Sequence, residues 1–226
     1  MNSFYTSNRV WTRILVGALA IYEFVVILAT CSNAAQIFLL TWIAKGGKLS
    51  QDRAVLADGV AGYLNTIHIW LFLLTALAFL IWFPRAHKNL PVLGAVALEH
   101  SPGWAVGAFF VPIVNLYRPM QIMREIWKAS DPATPADTPY AWAEQPSSPL
   151  IGWWWGLWIA RSFLGSISSS LMRSATSVES YLVSIGWSMG SQMATLAATV
   201  LLILLVLRIG QRQDQRAAMV GRTKAG

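Results

Sequence analysis

The sequence predicts an all-α fold: a polytopic helical membrane protein with four transmembrane helices, a cytoplasmic re-entrant or interfacial elbow, and an amphipathic helix. Three observations carry this. The 226 residues are 55% hydrophobic and only 12% charged, with mean hydropathy +0.49, whereas a soluble domain carries about 25% charged residues. Four apolar segments reach or exceed the roughly 20 residues that a helix needs to cross a bilayer. LFLLTALAFLIWF (71–83) lacks the alternation of a barrel strand, which leaves the helix as the structure that satisfies its own backbone in lipid.

Taken in order, the spans fall at about 14–43, 64–83, 151–172 and 182–207. The first is longer than a crossing needs, so it is expected to tilt or to extend beyond the membrane. Between the second and third lies SPGWAVGAFFVPIVNLYRP (101–119). Its uncharged run, 103–117, is too short for a crossing and is interrupted by Pro112. Ser-Pro-Gly makes a turn, Trp104 anchors at the interface, and Asn115 can bond backbone groups freed at Pro112. RPMQIMREIWKAS (118–130) follows. Met120, Met123, Ile126 and Trp127 share one helical face, and Arg118, Arg124, Glu125 and Lys128 lie mostly on the other, the pattern of a helix lying on a membrane surface. Residues 101–129 are therefore read as the elbow. The alternative makes 103–117 a fifth span.

The loop 130–149 has five prolines and reads as extended. The tail 208–226 is polar and basic and is expected to fray. No internal repeat is visible, so 1–226 is read as a single membrane domain. With four spans, Arg85, Lys88, Arg118, Arg124, Lys128 and the arginines of both termini fall on one side. Lys45, Lys48, Arg53 and Arg173 fall on the other. This asymmetry places both termini in the cytoplasm, and the chain is read as a multi-pass protein of the inner (plasma) membrane.

Net charge is +7, but the basic residues lie in gaps and tails, so no nucleic-acid partner is expected. The single cysteine, Cys31, excludes an internal disulfide and a Cys-based metal site. LATC (28–31) is a poor lipoprotein box, because the apolar run continues past it. His68, His87 and His100 lack metal-ligand spacing, and His87 with Lys88 is read as solvated loop or as a phosphate contact. Serine is dense from Ser162 to Ser188, but no G-x-S-x-G elbow occurs. No catalytic residue, metal or cofactor is expected, and the chain is read as a non-enzyme.

Two charges lie inside spans. Glu23 and Arg161 are each roughly 14–15 Å in from the cytoplasmic end at 1.5 Å per residue. A charge at mid-bilayer seeks a partner, so they are expected to form an ion pair or to line one polar site. Asn65, His68, Gln192, Thr195 and Thr199 extend this to a polar strip, or act as interhelical glue. Small residues four apart (Gly152 and Gly156, Gly165 and Ser169, Gly186 and Gly190) favour close packing, within a compact bundle or a homo-oligomer.

Residues 79–130, whose tryptophans, Trp82 and Trp127 among them, are expected at the membrane interface where an indole N–H finds a wet partner, carry a further signal. Trp82, Arg85-Ala86-His87-Lys88-Asn89-Leu90, Leu93-Gly94, Ser101-Pro102-Gly103-Trp104-Ala105-Val106-Gly107 and Phe110-Val111-Pro112-Ile113 form its first part. Asn115-Leu116, Arg118-Pro119, Met123-Arg124-Glu125-Ile126-Trp127 and, later, Gly152-Trp153-Trp154-Trp155 complete it. This pattern resembles the bacterial membrane family known as domain of unknown function 4328, over roughly 60–165, with Pro84 and Ala108 as small departures. The resemblance implies a multi-span membrane protein and no activity. The first functional expectation is a binding or scaffold module whose elbow contacts the bilayer, anionic headgroups or a membrane protein partner. The alternative is a small transporter or channel around Glu23 and Arg161.

Overall fold

A computed structural model describes residues 5–135 and 138–225, with side chains described to Gly221. Residues 136 and 137 of the Pro-rich loop, and the side chains of Arg222 and Lys224 in the tail, lie outside the described residues. The regular elements of the described residues are all helices: α1 (Arg9–Ala44), α2 (Gln51–Lys88), α3 (Trp104–Gly107), α4 (Arg118–Ala129), α5 (Pro149–Ser174) and α6 (Val178–Ala225). Short 3-10 turns occupy Val114–Leu116 and Ala141–Glu144.

Three helices are long and apolar enough to cross a membrane: Arg9–Ala44, Gln51–Lys88 and Val178–Gly221. The expected fourth span, 151–172, is a long helix, α5, but does not meet that standard. Its tryptophans, its serines and Arg161 dilute the apolar run. The stretch 103–117 is no crossing helix either. It folds as four-residue α3, turns and a 3-10 turn, broken around Pro112 as proline's missing N–H dictates.

Two helix ends depart from expectation. α2 continues through Pro84 to Lys88 because its last turn is held from outside: Asn8 donates to the Trp82 carbonyl at 3.2 Å and Gln213 to that of Ala86 at 2.8 Å. Arg85, His87 and Lys88 also suit a helix C-terminus. The basic tail does not fray. It continues α6, and Gln213 and Arg216 are buried.

The chain divides into two compact units. Unit 1 comprises Met1–Ala18, Thr75–Trp155 and Leu201–Gly226. Its core holds Leu15, Phe79, Trp82, Phe83, Leu93, Ile122, Met123, Ile126, Trp154, Leu205 and Ile209. Phe79 stacks on Phe83 at 5.0 Å and meets Phe109 edge-on at 5.7 Å, favoured aromatic geometries. The apolar face of α4 is buried here, not laid on a lipid surface, and Glu125 is buried with it. Trp82 and Trp127 are core residues too. The Trp82 indole donates to Thr12 Oγ1 at 3.0 Å, and Trp127 lies under the Arg212 guanidinium at 4.3 Å. A polar partner inside the fold replaces the wet interface that each indole was expected to seek.

Unit 2 comprises Leu19–Leu74 and Gly156–Val200. Phe24, Phe38, Ile67, Trp70, Leu74, Phe163 and Val183 lie exposed on it. An apolar exterior of that size suits lipid better than water. Gly165 sits where a Cβ would come within 3.3 Å of Ser191 Oγ, which lets α5 and α6 approach closely.

Candidate functional site

Unit 2 encloses a polar cavity of about 630 Å³. α1 gives it Asn33, α2 gives Asn65 and His68, and α6 gives Ser188, Ser191, Gln192 and Thr195. α5 turns Arg161, Ser162, Ser166, Ser168, Ser169 and Arg173 to it, at the three- and four-residue spacings of one helical face. The serines that dilute the hydropathy of α5 are therefore cavity lining. No aspartate or glutamate is among the lining residues, which include two arginines.

Arg161 is fixed from three directions. Its Nη1 donates to Tyr22 Oη at 3.3 Å, and its guanidinium lies 4.2 Å from the Trp158 ring centroid and 5.2 Å from that of Phe72. The phenol oxygen also lies 3.0 Å from His68 Nε2, with the two rings stacked at 5.2 Å. Arginine only donates. Tyr22 therefore accepts from Arg161 while its hydroxyl also hydrogen-bonds the His68 ring. Ring faces hold a cation without occupying its N–H groups, so four of its five donors are left for another acceptor. On the opposite wall Asn33 donates to Ser188 Oγ at 3.2 Å and Gln192 Oε1 at 3.1 Å.

The expected Glu23–Arg161 ion pair is not formed. Tyr22, one residue earlier, takes the guanidinium, and successive helical residues point about 100° apart. Both Glu23 carboxylate oxygens are buried, with Thr199 as their polar neighbour. Of the expected polar strip, Arg161, His68, Asn65, Gln192 and Thr195 line the cavity, and Glu23 and Thr199 do not. Tyr22, Asn33 and Arg173 complete the site and escaped the sequence reading. The four-residue spacing of Ser162, Ser166 and Ser169–Arg173 was the available signal.

Unit 1 holds a second polar centre. Glu125 Oε1 accepts the Glu99 N–H at 2.6 Å, and Oε2 accepts His100 Nδ1–H at 2.7 Å and lies 3.4 Å from His87 Nε2. Arg118 Nη1 donates to His100 Nε2 at 2.8 Å. Burial opposes ionisation of Glu125, but the interactions with His87 and His100 outweigh it and hold the carboxyl below its ordinary range. His87 is fully buried, neither solvated loop nor phosphate contact. Among the described residues no three His, Cys, Asp or Glu side chains are placed to hold a metal ion.

The remaining motif residues lie in unit 1. Arg85 faces the Trp11 ring at 6.0 Å, and Asn89 donates to Thr6 O at 3.1 Å and Gln213 Oε1 at 3.2 Å. Gly103 caps α3 without a side chain. Trp104 is exposed, Pro102 half-buried, and Pro112 and Arg124 exposed. Asn115 Oδ1 is buried and unpartnered, so it does not bond the freed backbone.

Fold and site together define an all-helical protein with three helices long and apolar enough to cross a membrane and an arginine-bearing polar cavity. The family profile described as domain of unknown function (DUF4328) matches residues 45–211. The chain belongs to that family. Neither the curated proteins nor the solved structures contain a match to it.

Proposed function

We propose that this chain is a multi-pass membrane protein that binds an anionic ligand in the unit 2 cavity, without catalysing its conversion. The observation that carries this is the acid-free lining with Arg161 and Arg173. A cation in a low-dielectric site needs a counter-charge. The guanidinium has rings and one hydroxyl around it instead of a carboxylate. α5 lies in the membrane as a fourth crossing helix, its polar face on the cavity, which keeps both termini in the cytoplasm and opens the site outward near Arg173. Passage of the ligand across the membrane would make it the small transporter anticipated as an alternative.

The elbow supports a second reading, contact with lipid. Phe110 and Ile113 are 71% and 75% exposed, and Val111, Leu116 and Tyr117 are exposed beside them. An apolar knuckle of this kind seats in a headgroup layer.

The anion reading is tested with inorganic phosphate. At fixed ionic strength, phosphate should raise the thermal midpoint of the detergent-solubilised protein as binding to the native state requires. Arg161→Gln with Arg173→Gln should abolish that response. An unchanged response in the double variant, or none in the wild type, overturns the reading.

A further inference from the structure

We infer that the cavity's ligand is an anionic amphiphile with a single acyl chain, its charged head at Arg161 in the chamber that Arg173 also lines and its chain in the groove between α1 and α2. This rests on the anion reading above and names the ligand class. The groove is a second void of unit 2, of about 490 Å³. Leu28, Ala35 and Leu39 wall it on α1, and Leu56, Ala57 and Val60 on α2. Ser32 and Leu64 line both voids, so the polar chamber and the apolar groove meet at those two side chains.

The chemistry is complementary at both ends. The chamber offers arginines and hydroxyls without a carboxylate, which suits a phosphate or carboxylate head. The groove is mostly aliphatic, with Ser32, Gln36 and Arg53 as its polar residues, and an acyl chain gains about 0.8 kcal/mol per buried CH₂ on leaving water. From Leu64 to Arg53, the groove's basic residue, α2 rises roughly 16 Å at 1.5 Å per residue. A chain of medium length fits that run. A small inorganic anion would use the chamber and leave the groove idle. A neutral lipid would use the groove and leave both arginines uncompensated.

The test is equilibrium binding to the full chain in a non-ionic detergent, with a monoacylglycerol phosphate, the matching neutral monoacylglycerol, and glycerol phosphate as probes. The monoacylglycerol phosphate should bind at least tenfold tighter than either of the others. Arg161→Gln with Arg173→Gln should weaken it tenfold or more, and Arg161→Lys with Arg173→Lys should restore part of that loss. Ala57→Trp, which fills the groove, should weaken the amphiphile and leave glycerol phosphate unchanged. Equal binding of glycerol phosphate and the amphiphile, both indifferent to Ala57→Trp, overturns the inference and leaves the anion site standing. Binding of the amphiphile that ignores the arginines overturns both.

Discussion

Arg216 provides the sharpest test of the fold, because it decides whether the basic end of α6 is structural. Its side chain is 2% exposed. Nε donates to the Leu93 carbonyl at 2.8 Å, and Nη1 donates to those of Asp131 at 2.7 Å and Thr134 at 2.9 Å. Gly94, at φ +89°, makes the turn after α2 possible, and a Cβ there would lie 3.9 Å from Arg216 Nη2. Arg216→Ala strands three carbonyls, each costing roughly 1–3 kcal/mol when left unsatisfied. Loop relaxation and entering water recover part of this, so a net loss of about 4 kcal/mol is expected, a large share of the roughly 5–15 kcal/mol that keeps a domain folded. At ~2–4 °C per kcal/mol for a chain of this size the midpoint falls by on the order of 10 °C. Arg216→Lys, which keeps the charge but loses the planar fork, should fall between. Arg208 is exposed two turns earlier on the same helix, and its alanine variant should change stability by less than about 0.5 kcal/mol. The assay is thermal unfolding in detergent, paralleled by trypsin cleavage of the tail. If Arg216→Ala and Arg208→Ala melt together, and trypsin removes the tail equally from both, then the tail is not docked and the bonding drawn here is wrong.

Three further outcomes follow from particular contacts. Because the folded Glu125 carboxyl ionises below its ordinary range, its contribution is complete above the unfolded value of about 4.3 and drains away as pH falls through the lower folded value. Denaturation midpoints measured from pH 7 down to pH 3 should show that loss, and Glu125→Gln should start less stable and lose this part of the profile; a parallel profile would refute it. Glu23→Gln and Arg161→Met should act additively on stability within about 0.5 kcal/mol, since Tyr22 and not Glu23 meets the guanidinium; a larger coupling would restore the ion pair. In a Cys31→Ser background, Lys48→Cys and Thr176→Cys should label from outside the cell and Pro135→Cys and Val220→Cys only from inside; labelling of Thr176→Cys and Val220→Cys from the same side would remove α5 and α6 from the proposed topology.

The helices were largely legible, because length and hydropathy suffice to place α1, α2 and the apolar part of α6. α5 was visible as a helix, but its sequence mixes apolar residues with cavity-lining serines, which hold its hydropathy below that of the other long helices. The docking of the tail was illegible for a related reason. Gln213 and Arg216 are buried against backbone carbonyls of Ala86, Leu93, Asp131 and Thr134, and a carbonyl carries no sequence signal. Glu125 was assigned to the polar face of α4 because its partners lie outside that helix, His87 on α2 and Glu99 and His100 in the segment between α2 and α3. The tryptophans misled in the same direction: an indole N–H satisfied by Thr12 inside the fold reads, in sequence, like one satisfied by a headgroup.

The two units differ most in how their buried charges are satisfied, and this argues for where function lies. In unit 1 Glu125 accepts the Glu99 N–H and His100 and meets His87, Arg216 saturates three carbonyls, and Arg212 pairs with Asp131. Networks of this kind specify and stiffen a fold, and the atoms they leave buried without a partner, Arg212 Nε and the Trp154 indole N–H among them, are packed inside it. Trp82, Asn89 and Arg118, prominent in the sequence pattern, belong to that network. Arg161 in unit 2 is the opposite case. Two ring faces and one phenol oxygen hold it in place, which positions the guanidinium while leaving most of its N–H groups unspent. A positioned but unsatisfied cation is costly in a membrane interior, and a ligand that supplies the missing negative charge would offset that cost. The residues that make the family recognisable therefore hold the scaffold, and the anion binding proposed above rests on side chains that no motif announced.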